Sequence, residues 1–278
     1  LSWLFSINKT SQKEIDNIKK SESLATVVFS WILFGLVCSI PYLFYGLSFT
    51  NSIFEAVSGV TTTGATIFQD FSLYPKSLFF FRSLTQWFGG MGIVVLFIAV
   101  LPKIAVAGRE MFYSEAPTPT QDKATPRIRY TASWLWGIYF ALTVVETIIL
   151  KFCGLGTYEA IVTSLSTLSS GGFSPASDSV LGFSNLGATL CVLAFMYIAG
   201  LNYILIYRAM KNKKITHFFK SEEFIWYFII TCIIAFTLAI SLFLNSHKPI
   251  FDSFLCSFFE VISTMTSTGF AIDNYITW

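Results

Sequence analysis

Charge is scarce in this sequence. Only 12% of its 278 residues are Asp, Glu, Lys or Arg, while 54% are hydrophobic and 18% aromatic, and the mean hydropathy is +0.65. Soluble domains carry about 25% charged residues, so the composition excludes that class and points to an integral membrane protein. Histidine is scarcer still: His217 and His247 stand alone in loops, without metal-ligand spacing. The five cysteines, Cys38, Cys153, Cys191, Cys232 and Cys256, lie unpaired in apolar segments and read as buried thiols. Also missing are a Ser/His/Asp set, a cysteine nucleophile, a phosphate loop and a dinucleotide fingerprint, so the chain reads as no enzyme and as holding no cofactor. The net charge of +2 is spread over loops rather than one face, which argues against a nucleic-acid partner.

Long apolar runs are abundant. A bilayer core about 30 Å thick needs roughly 20 apolar residues per helical span, and five stretches qualify: 24–46, 77–101, 132–152, 186–207 and 224–244. Three shorter pieces, 52–60, 157–168 and 250–264, are too short to cross, and each precedes a Ser/Thr/Gly cluster. They read as re-entrant half-helices. Backbone that is neither helix nor closed barrel survives at membrane depth only in protein or against water, so a pore or binding cavity follows. The expected organisation is a cytoplasmic segment 1–23, a first span-loop-span unit 24–101, a connector 102–131, a second unit 132–207, a connector 208–223, and the first half of a third unit 224–278. Fourteen of the 18 basic residues fall in 1–23 and the two connectors, which places those on the cytoplasmic side.

The pieces repeat. Phe54-Glu55-Ala56-Val57, Tyr158-Glu159-Ala160-Ile161 and Phe259-Glu260-Val261-Ile262 each lead to a loop: Thr61-Thr62-Thr63-Gly64, Ser169-Ser170-Gly171-Gly172 and Thr266-Ser267-Thr268-Gly269. Matched on the glutamates, the spacing from Glu to loop Gly is nine, thirteen and nine residues, which predicts a second half-helix about one turn longer. An even number of crossings separates the copies, so all run the same way, as they would around a ring. The fold expected is therefore an all-α polytopic membrane protein of parallel repeats, each span, re-entrant half-helix, filter loop and span, around a central pore.

A dehydrated alkali cation needs several oxygen ligands, and backbone carbonyls supply them without a fixed charge that would trap it. Carbonyls turned to one axis need backbone angles that glycine reaches without a Cβ penalty. The half-helices add the negative end of their dipoles, directed at the cavity. Glu55, Glu159 and Glu260 are placed near the positive ends and read as dipole pairing and local hydrogen bonding, with Asp252 as a cap. Arg82 is read as snorkelling to the outer end, with a pore role as the alternative, and the deeper Glu146 as pairing with an interior partner. Gln86 to Gly92, QWFGGMG, reads as close helix packing rather than a hinge. Asn202 either lines the cavity or bonds a neighbouring helix. The 102–131 loop either docks a regulatory subunit or simply connects.

FEAVSGVTTTGAT, RSLTQWFGGMGIVVLFIAVLP, TPRIR, STLSSGGFSP and STMTSTGFA together resemble the Trk/Ktr/HKT superfamily of potassium transporters, in its TrkH-like bacterial branch, from about residue 24 onward. The resemblance implies four units in one polypeptide, a K⁺-selective filter of backbone carbonyls, a bacterial plasma-membrane location, a homodimer, and cytoplasmic regulatory subunits with nucleotide-binding domains. It makes Gly64, Gly172 and Gly269 the filter glycines, with Gly171 as the alternative in the second loop. In eukaryotic relatives a serine at the first filter glycine goes with sodium transport, and Gly64 keeps the potassium type. Because two and a half of four units are present and Leu1 opens the sequence, the chain reads as a piece of a longer transporter whose fourth unit, with a basic residue near the pore, is absent. The function expected is potassium uptake through the filter. A Na⁺- or H⁺-coupled K⁺ symporter using the same loops and a non-transporting membrane scaffold are the alternatives.

Overall fold

The computed structural model describes residues 20–92, 125–175, 179–183, 185–212, 219–245 and 249–273, which contain helices and loops and no strand. The helices are α1 (Lys20–Phe44), α2 (Phe49–Val60), α3 (76–92), α4 (Thr125–Phe152), α5 (Thr157–Leu168), α6 (Leu186–Ala199), α7 (Tyr203–Asn212), α8 (Glu222–Asn245) and α9 (Ile250–Met265). Short 3₁₀ turns lie at Phe71–Leu73 and Ser179–Gly182. His217 and His247 lie outside the described residues.

Among the described residues, three helices are long and apolar enough to cross a bilayer, over Ala25–Phe44, Ser133–Phe152 and Glu222–Asn245. Each leaves large apolar side chains exposed, among them Phe29, Phe140 and Ile233, as a lipid-facing surface does. Each also packs against the short helix that follows it: α1 on α2, α4 on α5, α8 on α9. Thus a long-short helix pair occurs three times. Buried apolar residues form one cluster where the first pair meets α3, around Tyr42, Ala56 and Leu78. A larger cluster joins the second pair to the third, with Trp87, Leu165, Val192 and Phe259 among its members.

Local chemistry sets the ends. Ser48 caps α2 by accepting from Asn51 N at 3.3 Å, and Asn185 caps α6 by accepting from Gly187 N at 2.8 Å. Asp252 caps nothing: α9 starts after Pro249, and Asp252 sits in its first turn, where the helix dipole favours a carboxylate.

The stretch 186–207 is not one span, as its hydropathy predicts, but two helices. α6 ends at Gly200, and Asn202 then starts α7 by accepting from Ile204 N at 3.0 Å. With 14 residues, α6 is about 21 Å long, short of the bilayer core. The Asn202 amide also donates to Glu223 Oε2 at 3.2 Å, so this side chain bonds the neighbouring helix α8.

Candidate functional site

Each short helix ends in the same closure. Thr63 N donates to Ser58 O, Gly171 N to Ser166 O and Thr268 N to Ser263 O, all at 2.9 Å. Thr62, Ser170 and Ser267 take the left-handed backbone, at φ of 57°, 53° and 57°. This is the Schellman pattern, with hydroxyl residues where glycine is usual. At α1 and α4 the equivalent left-handed position is glycine, Gly46 and Gly154. A left-handed residue with a Cβ costs roughly 1–2 kcal/mol, and such strain gathers at functional sites. Two residues on, the chain turns left-handed again at Gly64, Gly172 and Gly269, with φ of 79°, 70° and 79°.

The loops touch in order. A Cβ on Gly64 would overlap the Gly171 carbonyl oxygen of loop 2, and a Cβ on Gly172 would overlap the Thr268 carbonyl oxygen of loop 3. A Cβ on Gly269 would meet no described atom within 4 Å. A groove of about 500 Å³ lies on that side, lined by Ile234, Leu238, Glu260, Gly269 and Ala271 among others. Between the two candidates in loop 2, Gly172 is the one whose backbone matches Gly64 and Gly269.

That register revises the repeat. Counting back from the closures, Glu55 and Glu260 correspond to Thr163, not to Glu159. α5 is accordingly not a turn longer than its counterparts; it has 12 residues, as α2 has, against 16 in α9. Glu55 lies midway along α2, fully buried, and not at the helix start. It accepts from Ile67 N at 2.6 Å and from Thr66 Oγ1 at 2.7 Å, tying the chain beyond loop 1 back to its helix. Glu260 accepts from Ile272 N at 3.0 Å, twelve residues on, as Ile67 is from Glu55. In the second copy the residue twelve beyond Thr163 is Pro175, which has no N–H. Acceptor and donor are lost together there. Glu159 is instead in the first turn of α5, partly exposed and 3.9 Å from Lys76 Nζ, where the dipole reading does hold.

Arg82 does not snorkel. Its side chain is 1% exposed, and its Nε donates to Glu55 Oε2 at 3.1 Å. Its second hold is Thr66 Oγ1, at 2.8 Å from Nη2. The guanidinium lies among the rings of Phe68, Phe71, Phe79 and Phe173, nearest Phe173 at 3.9 Å. Since Phe173 follows Gly172, Arg82 links loop 1 to loop 2.

The rest of α3 continues that link. Ser166 Oγ donates to Ser83 Oγ at 3.1 Å, and Gln86 Nε2 donates to Gly171 O at 2.6 Å. Gly89 and Gly90 allow the contact: a Cβ on Gly89 would overlap Val60 O at the end of α2, and one on Gly90 would lie 3.0 Å from Ser169 Cα. QWFGGMG is thus a close-packing segment, pressed on the backbone at the end of α2 and at the start of loop 2. Trp87 fixes its other face, donating from Nε1 to Thr143 Oγ1 at 3.0 Å on α4.

Glu146 has no partner of the kind expected. It is fully buried, and among the described residues neither carboxylate oxygen is hydrogen-bonded; the hydroxyl of neighbouring Thr167 gives its one proton to Thr163 O at 2.8 Å. No disulfide forms among the cysteines, and no cluster of three or more His, Cys, Asp or Glu occurs among the described residues.

Comparison with known proteins gives concordant matches. The family described as TrkH, cation transport protein, matches residues 4–225. The Trk system potassium uptake protein TrkH of Halomonas elongata is 35% identical, over 98% of this chain and 56% of its own length. TrkH of Escherichia coli is 34% identical over 96% of this chain, and TrkG of the same organism 31% over 97%. The crystal structure of the potassium transporter TrkH from Vibrio parahaemolyticus superposes with a TM-score of 0.86 at 29% identity, covering all of this chain and 57% of that one. The chain spans about half the length of the relatives it matches.

Proposed function

The chain belongs to the TrkH cation transport protein family, and from that premise we propose that it takes part in K⁺ uptake, through a filter to which the loops ending at Gly64, Gly172 and Gly269 contribute backbone carbonyls. The observation that carries this reading is the shared backbone of the three loops, left-handed at two positions each, together with the close approach of Gly64 to the Gly171 carbonyl and of Gly172 to the Thr268 carbonyl. Residues of alternating handedness turn successive carbonyls toward one side, where an extended strand would alternate them. A set of oxygens facing one axis is what replaces the hydration shell of an alkali cation. No covalent chemistry is involved.

In this reading Thr61 to Gly64, Ser169 to Gly172 and Thr266 to Gly269 line the ion path, and a fourth loop closes the ring at the open side beside Gly269. The short helices enter from outside the bacterial plasma membrane, and their C-terminal ends offset the ion's charge. The basic connectors face the cytoplasm, where regulatory subunits with nucleotide-binding domains dock, and two copies associate. The membrane potential then draws the ion inward, at about 2.3 kcal/mol per charge per 100 mV.

Gly64→Ser in the full-length protein tests the reading. The serine Cβ would overlap the Gly171 carbonyl oxygen, so the K⁺ over Na⁺ flux ratio in proteoliposomes should fall. An unchanged ratio would sink the filter assignment.

A further inference from the structure

Loops 1 and 3 brace themselves, and loop 2 does not. Thr61 and Thr63 share a hydroxyl-hydroxyl hydrogen bond at 2.8 Å, and Thr266 and Thr268 share one of the same length. In loop 2 the second of these positions is Gly171, so there is no hydroxyl to meet, and Ser169 Oγ turns back to Ser166 O at 3.1 Å.

The vacant place is filled from outside the loop. A Cβ on Gly171 would run into the side-chain amide of Gln86, with Gln86 Nε2 and Oε1 both 2.6 Å away. That amide donates to Gly171 O at 2.6 Å and accepts from Phe173 N at 3.3 Å, so one planar group holds the peptide on either side of Gly172. Gln86 is fully buried, so no water competes for those bonds. The held oxygen, Gly171 O, is also the one that Gly64 of loop 1 rests on.

We propose that Gln86 is a specificity-determining positioning residue, which sets the carbonyl geometry of loop 2, and of its contact with loop 1, in place of the hydroxyl pair found in loops 1 and 3. This rests on the filter reading above. A carbonyl that accepts from an amide offers less of its lone-pair density to an ion, so the position shared by Thr63, Gly171 and Thr268 is chemically unequal around the axis. Discrimination between K⁺ and a smaller cation depends on how firmly such oxygens keep their spacing, and Gln86 supplies that firmness for loop 2.

The structure also states what would substitute for it. Gly171 does not have a left-handed φ, so its backbone admits a threonine once the Gln86 amide is removed, and that threonine could pair with Ser169 as Thr63 pairs with Thr61. The test is the K⁺ over Na⁺ flux ratio of the full-length protein in proteoliposomes, for Gln86→Leu, Gly171→Thr, the double variant Gln86→Ala with Gly171→Thr, and Gly172→Ser. Gln86→Leu should lower the ratio by about fivefold, the scale of one lost buried hydrogen bond. Gly171→Thr alone should lower it as well, through collision with Gln86, while the double variant should recover most of the loss. A purely structural role would not be restored by adding a second substitution at the loop. If Gln86→Leu does not give monodisperse protein, Gln86→Met carries the same test. An unchanged ratio in the Gln86 variant, or a double variant no better than either single one, overturns the proposal. Gly172→Ser separates the two claims: if it lowers the ratio while Gln86→Leu does not, only the role of Gln86 falls, and if neither lowers it the filter reading falls too.

Discussion

Glu55 and Arg82 are both out of water, and each is the other's only ionic partner among the described residues. A buried pair of this kind contributes little net stability, but stranding one member costs about 3–5 kcal/mol. Glu55→Gln should therefore lower the unfolding temperature of the detergent-solubilised protein markedly, because it leaves the Arg82 charge unpaired. Adding Arg82→Met should recover much of the loss, since the four surrounding phenylalanine rings accept an apolar side chain. A Glu55→Gln protein as stable as the parent would contradict the pairing, and one that is stable but inactive would assign Glu55 to ion passage. The sequence gives the depth of Arg82 along a helix but not Glu55 facing it from 27 residues away, so snorkelling was the expectation. The repeat was legible and its register was not. Motif similarity aligns Glu159 with Glu55, whereas hydrogen bonding aligns Thr163, and the uneven Glu-to-Gly spacing with Pro175 in the donor position was the available signal. Left-handed Thr62, Ser170 and Ser267 were not foreseeable from propensity, because only glycine adopts that region freely.

At the scale of elements, α2, α5 and α9 were readable within a few residues, because an apolar run too short to span a bilayer followed by hydroxyl residues has few other realisations. The junction between α6 and α7 was hidden, because averaging hydropathy over 186–207 conceals one Gly and one Asn. The junction bears on the site: a Cβ on Gly200 would come within 2.7 Å of Thr266 Cγ2, at the start of loop 3, and of Tyr227 Oη on α8. Gly200→Ala should thus cost about 1–3 kcal/mol, the usual range for overpacking, seen as a lower unfolding temperature, with a loss of K⁺ flux beyond what the remaining folded protein explains. Unchanged stability and flux would mean that loop 3 yields freely at that contact.

Across the molecule, composition alone pointed to a membrane protein, and the three short apolar pieces foreshadowed the long-short helix pair that occurs three times among the described residues. What no single segment carried is the order of contacts, in which α3 reaches Phe173 through Arg82, the last turn of α5 through Ser83 and the Gly171 carbonyl through Gln86, while Gly64 and Gly172 each press on a carbonyl of the following loop. Those contacts depend on helices packed nearly backbone to backbone, which only coordinates reveal. The central claim, that these loops surround a cation, is tested most directly by anomalous X-ray scattering from crystals of the full-length protein grown with Rb⁺ in place of K⁺. The account predicts a peak on the axis between the loops, within coordination distance of carbonyls from the segments ending at Gly64, Gly172 and Gly269, and its loss in the Gly172→Ser protein. A transport-active protein whose Rb⁺ binds elsewhere, with none between the loops, would contradict it.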